Sequence, residues 1–113
     1  MENKFTQIKK RDGRIVDFEQ EKITDAIFKA LTVTNKGGRR ISQRLSDKMV
    51  VLLNKRFKKD HIPVVEEVQD LVEEVLILGG YTETARAYIL YREQRRRIRD
   101  TKIATDEELY IVN

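Results

Sequence analysis

Cysteine is absent from this 113-residue chain, which removes disulfides, thiolate nucleophiles, iron–sulfur clusters and cysteine zinc sites together. A single histidine, His61, would leave carboxylates to supply most of any zinc site, a donor set that zinc seldom takes. One proline and five glycines are too few for a disordered or fibrous composition. No apolar run approaches the roughly 18 residues that span a bilayer. The start, Met1-Glu2-Asn3-Lys4, lacks the apolar stretch of a secretory signal. A reducing cytoplasm and no membrane partner are therefore expected. The glycine signatures that cradle phosphates, G-x-x-x-x-G-K-[ST] and G-x-G-x-x-G, are missing, so an ordinary phosphate-hydrolysing NTPase is poorly supported. No Ser/His/Asp arrangement stands in a convincing context either.

What is present is a chain 40% hydrophobic and 37% charged. Its length suits one domain with one modest core. Net charge is +4, which permits an anionic partner without demanding a nucleic acid. There is no internal repeat and no low-complexity tract.

Phe5, Ile8 and then Ile15, Val16 and Phe18 flank Arg11-Asp12-Gly13-Arg14. Asp-Gly between apolar runs is a hairpin signal, because glycine tolerates the positive φ of a tight turn. Paired strands are expected over residues 4–10 and 14–18. From Glu19 the period changes: Ile23, Ala26, Ile27, Ala30 and Leu31 fall on one helical face, and Thr34 to Gly38 break it. Ile41, Leu45, Met49, Leu52, Leu53 and Phe57 give a second helix. Asp60-His61-Ile62-Pro63 is short, and its proline allows at most a brief edge strand beside the hairpin. Val68, Leu71, Val72, Val75 and Leu76 give a third helix ended by Gly79-Gly80. Thr82 is placed to cap a fourth, carrying Ala85, Tyr88, Ile89 and Tyr91 and ending in the basic run Arg95 to Arg99. Residues from about 101 lose periodicity and read as a tail or linker. The expected fold is α+β: a two- or three-stranded sheet, built on the N-terminal hairpin, capping four helices that bury its apolar face.

The crowded charge at "KKRDGRIVDFEQEKI", residues 9–23, asks for a reason. Lys10, Arg11 and Lys22 can converge with the free amides of the first helical turn on a multiply charged anion, above all a phosphate chain. The bland alternative is a solvated surface in which they pair with Asp17, Glu19 and Glu21. Glu66, Glu67, Glu73 and Glu74 read as an exposed acidic face rather than acid–base catalysts. Tyr88 and Tyr91 read as core or core-edge rings rather than base-stacking ones. The arginines from 95 to 99 read as a solvated helix end, where cations suit the dipole.

Taken in order, Ile8-Lys9-Lys10-Arg11-Asp12-Gly13-Arg14, Val16-Asp17-Phe18-Glu19, Lys22-Ile23, Ala26-Ile27, Val68-Gln69-Asp70-Leu71-Val72-Glu73 and Ala87-Tyr88-Ile89-Leu90-Tyr91-Arg92 resemble an ATP-cone. This is the regulatory nucleotide-binding module at the N-terminus of many ribonucleotide reductases. The resemblance covers about residues 4–99. It implies a four-helix domain capped by a small sheet, residues 1–100, with 101–113 leading to a catalytic domain absent from this chain. It implies ATP or dATP as effector, with Mg²⁺ accompanying the phosphates. By matched position, Lys10 and Arg11 would contact phosphates, as would Lys22. Ile8 and Ile23 would border the nucleoside, and Glu19 would reach the base or sugar. Ile62-Pro63-Val64-Val65-Glu66 borders the same pocket in the family but here offers no obvious polar contact.

Reductase catalysis in the family uses a cysteine thiyl radical, so a cysteine-free chain would not be the catalytic unit. The resemblance implies an allosteric switch, with ATP permitting activity and dATP favouring an inhibited assembly with the catalytic domain and another cone. An anaerobic, triphosphate-reducing type is preferred. A nucleotide-sensing transcription repressor is the first alternative. Repressors of that kind carry a Cys-rich zinc ribbon ahead of the cone, whereas here about three residues precede the first strand. A protein-interaction domain with a degenerate pocket is the second, favoured if Lys10, Arg11 and Lys22 are tied up by carboxylates.

Overall fold

A computed structural model describes residues 3–101. Two short antiparallel strands, β1 (Gln7–Lys9) and β2 (Ile15–Asp17), precede four helices: α1 (Gln20–Thr34), α2 (Arg39–Arg56), α3 (Val65–Leu78) and α4 (Thr82–Thr101). The fold is the expected α+β domain, a two-stranded hairpin on a four-helix body. The tail expected beyond residue 101 lies outside the described residues.

The hairpin follows from its turn. Gly13 N–H donates to the Lys10 carbonyl at 2.9 Å, Lys10 N–H donates to the Arg14 carbonyl at 2.8 Å, and Gly13 takes φ +91°. This is a three-residue loop, Arg11-Asp12-Gly13, whose last position a side chain would strain. Asp12 locks it: its carboxylate accepts from the Arg14 backbone N–H at 3.0 Å and from Arg14 Nε at 2.7 Å. Those bonds, the backbone one first, hold the Asp12 carboxyl below the ordinary range. Register pairs Ile8 with Val16, and both point inward. The strands are shorter than expected at both ends, although single backbone bonds continue the pairing beyond them, Lys10 N–H to the Arg14 carbonyl at the turn and Phe18 N–H to the Thr6 carbonyl at 2.9 Å at the open end. The proposed third strand shrinks to one parallel bridge, Lys9 with Val64, fastened by Lys9 N–H donating to the Pro63 carbonyl at 2.9 Å.

Two of the helices, α1 and α3, end on a left-handed residue. Asn35 adopts the left-handed conformation (φ 55°), and Lys36 N–H reaches back to the Leu31 carbonyl at 3.0 Å, closing α1. Gly80 (φ +87°) closes α3 in the same way, with Tyr81 N–H on the Leu76 carbonyl at 2.8 Å. Thr82 is not the cap of α4. Ala85 N–H already donates to the Tyr81 carbonyl at 2.8 Å, so Thr82 is the first helical residue.

The four apolar stripes meet in one core, in which Leu31, Met49, Leu53 and Leu76 are fully enclosed. Of the expected core positions, Ile23, Ala26, Ile41, Leu52 and Phe57 are only partly buried and Ile89 is exposed. Buried polar residues tie the helices where the stripes meet. Thr24 and Ser46 hydroxyls bond at 2.7 Å between α1 and α2, and Thr34 and Thr84 at 2.8 Å between α1 and α4. Asn54 on α2 accepts the Lys4 backbone N–H at 2.7 Å and donates to Asn3 Oδ1 at 2.9 Å. That clasp draws the segment before β1 against the helices and seats Phe5 in the core.

Candidate functional site

Between the hairpin, the sides of α1 and α4, and the start of α3 lies a cavity of about 600 Å³. This is within the ~300–1,000 Å³ typical of small-ligand sites. All six residues singled out in the sequence line it: Ile8 and Lys10 from β1 and the strand end, Arg11 from the turn, Glu19 at the cap of α1, and Lys22 and Ile23 from its first turn. The strand alternation brings Ile8 and Lys10 to one face, and the turn bends Arg11 round to join them. Val16, Phe18, Ala26 and Tyr88 extend the apolar wall.

Two of the three expected phosphate contacts already hold carboxylates. Lys22 Nζ lies 2.9 Å from Glu19, with the two side chains 76% and 54% exposed. Arg11 Nε lies 3.7 Å from Glu66 at the start of α3. Pairs so open to water contribute only about 0–1 kcal/mol, far less than a multiply charged anion offers the same cations. They hold the side chains near the cavity without closing it.

The wall from α4 was not foreseen. Tyr88, Arg92, Arg95 and Arg99 follow one another at helical spacing and line the cavity together with Tyr91. The Arg95 guanidinium sits 5.4 Å from the centre of the Tyr91 ring, and Lys29 of α1 sits 5.8 Å from it. Tyr91 is thus a half-exposed ring with two cations drawn to its π system. Arg92 instead serves the fold: it bonds Asp70 at 2.9 Å and also Glu73, joining α4 to α3. Only Arg96 and Arg97 behave as the solvated helix end expected of the whole run, and they pair with Glu93. Burial pushes the Tyr88 hydroxyl far above its usual range, so this ring stays neutral.

From the segment 62–66, only Val65 reaches the cavity, as its apolar composition suggests. One turn later Gln69 supplies the polar group that segment lacks. The acidic residues of α3 prove to be structural partners: Glu74 forks onto Arg56, and Glu67 closes the helix start. Val64 has no side-chain acceptor, so the only side chain that caps this end is the Glu67 carboxylate. Its Oε1 accepts from Val64 N–H at 2.9 Å and stands 2.9 Å from His61 Nε2, whose ring stacks on Phe57.

Burial tends to raise the Glu67 carboxyl, but the Val64 N–H and the His61 ring outweigh it and hold it below the ordinary glutamate range. A lowered folded-state value contributes stability above the unfolded-state pKa, and that stability is lost as pH falls through the folded one. Glu67→Gln is therefore expected to lower the thermal midpoint at pH 7 and to converge with the parent chain below roughly pH 4. Parallel melting curves across that range would show that this carboxylate is not the anchor.

A second, shallower cleft of about 410 Å³ lies between α1 and α2, lined by Gln20, Glu21, Thr24, Arg39 and Gln43. None of the six residues faces it. Most of its polar groups are occupied: Gln20 donates to Ser46 and Asp47, Gln43 to Asp47, and Arg39 to Asp25.

Comparison with known proteins agrees with this architecture. The family model described as ATP cone domain matches residues 6–97. The vitamin B12-dependent ribonucleoside-diphosphate reductase of Thermoplasma acidophilum is 44% identical over 101 residues, covering 85% of this chain and 13% of that protein. The ribonucleoside-diphosphate reductase subunit alpha of Chlamydia muridarum is 33% identical over 102 residues, covering 83% and 10%. The anaerobic ribonucleoside-triphosphate reductase of Salmonella typhimurium is 30% identical over 102 residues, covering 90% and 14%. The match spans three kinds of reductase, so the expected anaerobic type is not singled out. With a family match over nearly all the described residues, the chain belongs to the ATP cone domain family.

Proposed function

We propose that this chain is an allosteric adenine-nucleotide-binding module of a ribonucleotide reductase, with residues 1–100 forming the regulatory domain and 101–113 leading toward the catalytic part. The observation that carries the reading is the cavity between hairpin and helices, where Lys10, Arg11 and Lys22 meet an apolar wall of Ile8 and Ile23. Cations beside the first turn of α1 suit a triphosphate, as does the positive end of the α1 dipole. The apolar wall suits a purine and sugar, and Glu19 offers an acceptor to the base or ribose. ATP and dATP are the effectors this arrangement fits. Among the described residues no group of three or more His, Asp or Glu is close enough to hold a metal. Mg²⁺ would therefore arrive with the phosphates, as hard cations commonly do.

ATP and dATP differ only in the 2′-hydroxyl, so opposite effects on a reductase require different contacts in two states of the assembly. The module itself has no cysteine and supplies no radical chemistry. The degenerate-pocket reading draws on the Lys22–Glu19 and Arg11–Glu66 pairs, but their exposure makes them easily exchanged for phosphate. The test is calorimetric titration with ATP and dATP in Mg²⁺, with GTP as control. Adenine-selective binding in the micromolar range is expected. Absence of heat with all three would overturn the reading in favour of an interaction domain.

A further inference from the structure

We propose that the outward face of α2, carrying Arg40, Arg44, Lys48 and Lys55, is a docking surface for an acidic protein segment. These residues lie at i, i+4, i+8 and i+15, so they share a sector of about 80° and a row about 22 Å long. All four are exposed. Among the described residues no salt bridge reaches any of them, although the cations at either end of the row are paired: Arg39 with Asp25 and Arg56 with Glu74.

The row is costly to the helix that carries it. Cations at i, i+4 repel one another, and two arginines in the first turn oppose the helix dipole with no acidic residue there to offset them. Asp47 is the sole acidic residue of α2, and its carboxylate is taken by the Gln20 and Gln43 amides. A solvated face serving stability alone would alternate its charges, as the pairs Arg96–Glu93 and Lys22–Glu19 do. Half-buried Val51 sits within the row and gives it an apolar contact point.

Charge complementarity names the occupant. A helix or strand bearing carboxylates at regular spacing matches the rise of about 6 Å per four residues. A second copy of this chain fits less well, because its α3 and α4 carboxylates Asp70, Glu73, Glu74 and Glu93 each stand beside an arginine and so present mixed charge rather than an acidic row. Nucleic acid fits less well, since this single row offers no aromatic platform for bases. No residue of α2 lines the cavity, so docking here leaves the nucleotide site open.

The test titrates the full chain with a short poly-L-glutamate peptide, followed by backbone amide NMR, beside a single-stranded oligothymidylate of equal charge. Shifts centred on residues 40–55 and fading with salt are expected with the peptide. The variant with Arg40→Gln, Arg44→Gln, Lys48→Gln and Lys55→Gln should bind it about tenfold more weakly, the outcome of losing four modest surface pairs together. Its thermal midpoint should be unchanged or higher, because repulsion is relieved. Shifts scattered over the basic surface, tighter binding of the oligothymidylate by the row, or a lowered midpoint would each overturn the proposal.

Discussion

Replacing Lys10 and Lys22 together by alanine is expected to weaken ATP binding by about 100-fold. The figure comes from two charge-assisted contacts at the lower end of about 1.5–3 kcal/mol each, with about 1.4 kcal/mol per factor of ten. Each single variant should lose about tenfold on the same scale. Both lysines are exposed at the cavity rim, and Lys22 is 76% exposed in its pair with Glu19, so neither supports the core. The denaturation midpoint should therefore hold, and this separates a lost contact from a lost fold. Arg86, exposed on α4 and outside the cavity lining, is the matched control. Parent-like affinity in the double variant would remove the hairpin and the α1 start from the phosphate site. The α4 cations Arg95 and Arg99 would then be the place to look.

Leu31→Ala is expected to cost about 3–5 kcal/mol of unfolding free energy, the range for emptying a rigid, fully enclosed leucine position. Leu31 has no exposed surface, lies on α1 and joins the core shared by all four helices. Against a typical domain stability of about 5–15 kcal/mol, such a loss would leave much of the chain unfolded at elevated temperature. Leu78→Ala makes the comparison, since that side chain is 74% exposed at the end of α3. It should change the midpoint little. A cost below about 1 kcal/mol at Leu31 would mean that the interior is too loosely packed to leave a cavity.

Much of this architecture can be read from local chemistry. Asp12-Gly13 marks the hairpin because one backbone position needs positive φ and one carboxylate satisfies the amide beyond it. The core positions Val68, Leu71, Val72, Val75 and Leu76 of α3 are all buried as their period demands. The six cavity residues could be brought together because they sit on two elements joined by a short connection. What escaped was the opposite wall. Helical periodicity shows that Tyr88, Arg92, Arg95 and Arg99 share a face, but not that this face looks toward Lys22 and Lys29. Counting the arginines as one run hid their division: Arg95 and Arg99 turn to the cavity, Arg96 and Arg97 to Glu93. The same limit hid Asn54, whose partners Asn3 and Lys4 are about fifty positions away. A polar side chain in a helix announces neither its burial nor its distant bond.

Among the described residues, the bridge from Lys9 to Val64 touches one margin of the little sheet, and no strand pairs with the other, along β2. Bare margins of sheets recruit strands from neighbouring molecules and seed aggregates. Here the bare margin is only Ile15–Asp17, with Arg14 ahead of it, Asp17 at its end, and the helix beginning three residues later. A foreign strand would find too few backbone groups to pair with before the chain turns away.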